Sequence, residues 1–138
     1  MTASIGQIIR SRFITQWATF SPTYTLVQSG QPTPTESVND APWVKLSTLF
    51  GESRQVGFSN AGPRKRTVGN AVVQIFVPAG TGDGLAESLS DRVADVWEMT
   101  TIQGVIFRAT SVQRVGEDGT WLQYNATTPF QVDELRTA

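Results

Sequence analysis

The sequence predicts an α+β domain: a mainly antiparallel sheet of four to five strands with two helices packed on one of its faces. Three observations carry this reading. Apolar residues recur at helical spacing in two separate stretches. Alternating apolar and polar residues fill most of the rest, as half-buried strands require. Glycine, proline and aspartate fall between these stretches, where turns are needed.

From Ser4, the residues Ile5, Ile8, Ile9, Phe13, Trp17 and Phe20 form one apolar stripe with Arg10, Arg12 and Gln16 between them, so the chain opens with an amphipathic helix. Pro22 ends it, because proline offers no amide hydrogen and clashes with the preceding turn. Residues 21–42 hold four of the seven prolines and read as a long irregular connection, with a short strand at Tyr24 to Val27. Val44, Leu46 and Phe50 then mark a strand, Gly51 to Ser53 a turn or bulge, and Arg54 to Ser59 a second strand. Residues 60–66, ending Arg64-Lys65-Arg66, read as a polar hairpin tip before a third strand from Thr67 to Val77. In that strand Ala71, Val73, Ile75 and Val77 share one face, and Val72 and Phe76 occupy the other, as in a central or partner-covered strand.

The segment 80–84 has glycine at every second position and leads into a second helix with Leu85, Leu89, Val93, Val96 and Trp97 on one stripe and Asp83 as its expected N-cap. A fourth strand runs from Val105 to Val115, and the Asp-Gly turn in residues 116–119 joins it to a fifth. That fifth strand alternates Leu122, Tyr124, Ala126, Phe130 and Val132 with polar neighbours. The 138 residues suit a single domain, since a chain of this size buries roughly 70% of its unfolded surface.

Composition narrows the function. The formal charge is −1, so no global field draws the chain to nucleic acid or to an anionic membrane. The absence of cysteine and histidine excludes thiolate chemistry, disulfides, Ser-His-Asp triads and ordinary zinc sites. No run approaches the ~20 apolar residues of a membrane span, and the chain reads as cytosolic and unprocessed. Charged residues make up 17%, which leaves a surface rich in neutral polar groups.

The candidate chemistry is thin. The glycine loop at 80–84 lacks both the dinucleotide spacing and a following Lys-Ser/Thr, and Asp83 puts negative charge where a phosphate would sit. Glu87, Asp91 and Asp95 form a straight row along the second helix, whereas a divalent cation needs ligands converging from several directions. Like charges at this spacing repel by a few tenths of a kcal/mol per pair, so the row suits a basic partner surface as well as plain solvent. Arg64, Lys65 and Arg66 neutralise about three phosphates at most, a weak and salt-sensitive hold on DNA in one copy. Repeated around a ring, they become a multivalent band. Trp43 and Trp121 have mostly polar strand neighbours on their face and read as subunit contacts. No catalytic residue, metal ligand or cofactor is expected.

Trp43-Val-Lys-Leu46, Phe50-Gly-Glu-Ser-Arg54, the strand ending Gln74-Ile-Phe-Val-Pro78, the helix start at Gly82, Gly104-Val-Ile-Phe107, Gly119-Thr-Trp-Leu-Gln123 and Pro129-Phe130 together resemble the tail terminator, or tail-completion, proteins of long-tailed bacteriophages and prophages. The likeness spans most of the chain after Pro42 and extends loosely to the first helix. It implies a non-enzymatic subunit that assembles with itself as a homo-hexameric ring on the head-proximal end of the tail tube and stops tube polymerisation. Its other implied partners are the tail tube protein and a head-completion or neck protein. DNA would pass through the ring without sequence-specific binding, no membrane would be involved, and the site of action would be the host cytoplasm and then the virion tail. A head-tail joining or tail-tube protein is the neighbouring alternative, and a small DNA-binding module is the alternative of another class.

Overall fold

The computed structural model describes residues 4–21, 24–28, 41–59, 62–80, 82–117 and 120–135. Its elements are α1 (Ile5–Trp17), β1 (Thr25–Gln28), β2 (Trp43–Ser59), β3 (Gly62–Pro78), α2 (Asp83–Trp97), β4 (Thr101–Ile102), β5 (Val105–Phe107), β6 (Ser111–Glu117) and β7 (Trp121–Leu135).

The sheet is larger than the sequence predicts, and it is mixed. Its seven strands form one sheet that curls into a half-barrel. The path is β1-β2-β3-β7-β5-β4, with β6 also paired to β7. This corrects the expectation of a four- to five-stranded, mainly antiparallel sheet, on four counts. The short strand expected at Tyr24 to Val27 is present as β1, but it lies parallel to β2, Thr25 against Trp43 through Gln28 against Leu46, and makes the sheet mixed. β2 does not turn at Gly51; the ladder with β3 absorbs the irregularity in register shifts between Phe50 and Ser53 and between Gln55 and Gly57, and two predicted strands become one of 17 residues. The predicted fourth strand breaks at 108–110 into β5 and β6, where Pro129 of β7 has no amide to give; its carbonyl accepts from Arg108 N at 2.9 Å. A two-residue strand, β4, folds back on β5 across Gln103 and Gly104, both at positive φ (49° and 86°), a tight-turn geometry that Gly104 makes possible.

The basic run also moves. Arg64, Lys65 and Arg66 belong to β3 and pair with Leu135, Glu134 and Asp133 of β7, because β7 runs on far enough to continue the ladder. The predicted tip residues Asn60 and Ala61, the Asp118-Gly119 turn and most of the 21–42 connection lie outside the described residues.

The core forms where the helices meet one sheet face. Ile8, Ile9, Phe13 and Trp17 of α1 join Leu89, Val93, Val96 and Trp97 of α2 over Val44, Leu46, Val73, Ile75, Leu122 and Ala126. Trp97 lies at its centre, stacked on Phe107 at 5.2 Å and tilted against Phe13 at 5.1 Å. Its indole N–H donates to Thr128 Oγ1 at 3.0 Å, so the polar edge of the ring is satisfied inside the core. Ser4 caps α1 by accepting from Gln7 N, and the helix ends at Trp17, earlier than Pro22. α2 begins after Gly82 (φ 84°), so Asp83 is its first helical residue and not its N-cap.

Candidate functional site

Strand alternation separates the basic residues. Thr67 is buried on the helix-bearing face, so Arg64 and Arg66 project from the opposite face, with Arg54 directly across from Arg66 on β2. Lys65 points to the helix side, with Glu134 across from it on β7. Arg66 is engaged: its guanidinium donates Nε and a terminal nitrogen to the two carboxylate oxygens of Asp133 at 2.9 and 3.1 Å. This fork holds the Asp133 carboxyl below the usual carboxylate range, with Arg64 adding charge, and raises Arg66 in turn. Arg54 and Arg64 are exposed and carry the positive field of this end of the sheet.

Glu87, Asp91 and Asp95 are all exposed, along the outer side of α2 and away from its apolar stripe. No group of three or more carboxylates that could hold a metal ion occurs among the described residues. At the start of the helix Asp83 approaches Arg114 of β6 at 3.4 Å. Tyr124 lies beneath and ionises above its ordinary range, chiefly because burial disfavours the phenolate and then because Asp83 and Glu87 add like charge. Asp83 and Glu87, at the start of α2, therefore stand near the β6–β7 ladder.

Trp43 and Trp121 come together, but Trp43 is not the exposed contact that its polar neighbours suggest. It is 95% buried, stacked on Phe76 with centroids 4.1 Å apart and met edge-on by Trp121 at 6.2 Å. Cross-strand registry places Phe76 directly against Trp43, and two aromatic faces exclude water better than a lone indole. The Trp43 indole nitrogen has no hydrogen-bond partner among the described residues. Across the middle of this sheet face, the row from Lys45 through Gln74 and Asn125 to Gln113 is polar with one cation, and Arg54, Arg64 and Arg66 stand at its far end.

Sequence reasoning missed one feature. Leu49, Phe50, Val68, Gly69, Arg108 and Phe130 line an open hollow of about 380 Å³. Leu49 is 57% exposed and Phe50 54%. Gly69 makes the hollow possible: a Cβ there would strike the Leu49 carbonyl and the Phe130 ring. The signal in the sequence is the Leu49-Phe50 pair, two large apolar residues in succession on a strand, which must face opposite ways so that both cannot enter one core. No described helix is long and apolar enough to cross a membrane.

Comparison with known proteins adds the fold and nothing about chemistry. No protein-family model and no curated protein matches the chain. Among solved structures, one whose name states no function superimposes with a TM-score of 0.53 over 99% of this chain and 99% of its own, at 13% sequence identity. At that identity the likeness is one of fold.

Proposed function

We propose that this chain is a structural tail terminator: copies assemble as a ring on the head-proximal end of a phage or prophage tail tube, stop its polymerisation and offer the neck its docking surface. The observation that carries the reading is the segregation of opposite charge on one copy. Arg54 and Arg64 stand at the far end of β2 and β3, while Glu87, Asp91 and Asp95 run along α2. A surface that holds both signs on separate elements can meet another copy head to tail, a contact that forms a ring when its rotation closes and a filament when it does not. The half-exposed Leu49 and Phe50 add apolar area to such a contact, worth about 1 kcal/mol for each side chain whose exposed half is buried. The resemblance of the Trp43–Arg54 and Gln74–Pro78 segments to the tail-terminator family supplies the place of the ring.

Deleting the gene from the phage or prophage that encodes it should give overlong tail tubes by electron microscopy; tubes of normal length would contradict the proposal. Reversing the charge of Arg54 and Arg64, or of Glu87, Asp91 and Asp95, should each weaken assembly. Reversing both sets should restore it, and failure of that rescue would discard the pairing of these two tracts.

A further inference from the structure

Among the described residues the half-barrel has two open edges. β7 is paired with β3 along its whole length on one side, and with β6 and then β5 on the other. Among the described residues, β6 has no strand on its outer side. β2 is covered by β1 only as far as Leu46, so among the described residues its outer edge from Ser47 to Ser59 has no strand partner. Residues 49–55 are exposed throughout, as is β6 apart from Gly116. Unpaired strand edges offer rows of amide and carbonyl groups to another chain. Exposed apolar side chains stand on these same two edges: Leu49 and Phe50 on β2, Val112 and Val115 on β6 at 48% and 52%.

Strand sense allows the two edges to pair, and one register brings like faces together. β2 is antiparallel to β3, β3 to β7 and β7 to β6, so β6 runs antiparallel to β2. A neighbour related by rotation about an axis running with the strands keeps that sense. Val112 lies across from Ala126 on β7, and Phe50 is level, through Gly69, with Phe130, four residues further on. Setting Val112 beside a neighbour's Phe50 sets Gln113 beside its Leu49, and like faces then meet like faces. The shift is about 14 Å over four strands about 19 Å wide, which inclines the strands by about 35° to the axis, a tilt at which sheets close into barrels.

We propose that β6 of one copy adds as an antiparallel strand to the free edge of β2 in the next, so that one sheet runs on from copy to copy. This rests on the reading of the chain as a self-assembling ring subunit, and it names the contact that joins the copies.

The chain has no cysteine, so engineered thiols report without background. Paired antiparallel residues lie about 4.5–5.5 Å apart between Cα atoms, within reach of a disulfide. A mixture of Leu49→Cys and Gln113→Cys proteins, oxidised gently, should give the mixed dimer, while either protein alone should stay uncrosslinked. The double variant should give a ladder ending in one closed species. If Leu49→Cys does not fold by circular dichroism, Ser47→Cys with Val115→Cys and a short bifunctional thiol reagent carries the same test. Crosslinking of Leu49→Cys to itself would overturn the proposal in favour of a two-fold β2 contact. Intact rings by sedimentation with no mixed crosslink would overturn the edge pairing and leave the ring standing. Protein that sediments as a monomer, from a phage whose tails are normal without it, would remove the ring reading as well.

Discussion

Thr128→Val removes one hydroxyl from the middle of the core at almost constant volume. Thr128 is fully buried, and its Oγ1 accepts from Trp97 Nε1 at 3.0 Å while sharing a hydrogen bond with Thr110 Oγ1 at 2.7 Å. Thr110 is only half-buried, so its hydroxyl turns to water at little cost. Trp97 has no such escape, being fully buried and held between Phe107 and Phe13. Leaving one buried donor unpaired costs about 1–3 kcal/mol, and we expect about 2 kcal/mol here. For 138 residues the unfolding entropy is about 0.29 kcal/mol/K near the midpoint, so the melting temperature should fall by about 7 °C. Urea unfolding followed by tryptophan fluorescence should show a lower midpoint at unchanged slope. The decisive arm is a double-mutant cycle with Trp97→Phe, which has no N–H to strand. Thr128→Val should cost far less in that background, and an equal cost in both would refute the reasoning.

Gly69→Ala should destabilise by about 1–3 kcal/mol, since the new Cβ meets the Phe130 ring at 2.6 Å and the Leu49 backbone cannot give way; chemical denaturation checks it, and a neutral result would mean that β2 and β3 are slack there. Asp133 titrates below its ordinary value in the folded chain, so its contribution is present above the unfolded carboxyl pKa of about 3.9 and is lost as pH falls through the lower folded value. Asp133→Asn should therefore flatten the acid limb of the stability curve, and an unchanged limb would count against the Arg66 fork. Tyr124 ionises above its ordinary value, so its neutral form stabilises the fold below pH about 10 and that stability is lost as pH rises through the folded value. Ultraviolet titration should show one of the two tyrosines ionising late, and Tyr124→Phe should remove that late step.

The helices were legible because their signal is local. Ile8, Ile9 and Phe13, and Leu89, Val93 and Val96, recur at a period that only one kind of element buries. The strands were legible as strands, but their ends were not. Gly51 reads as a turn in isolation, and it is the unbroken ladder from Trp43 to Ser59 against β3 that turns it into a bulge. The basic run at 64–66 reads as a loop for the same reason, since nothing local reveals that β7 extends to meet it. Parallel pairing of β1 with β2 is a contact between distant segments with no periodic trace. At the candidate site, the acidic row on α2 could be read directly, because spacing alone sets which helical residues share a face. The Trp43–Phe76 stack could not, because it depends on which strands pair and in what register.

Electron microscopy of the purified protein, alone and mixed with tail tubes, tests the account most directly. Closed rings that seat on one end of the tube and halt its growth are the predicted result. Dispersed single copies that leave tube growth unchanged would contradict it.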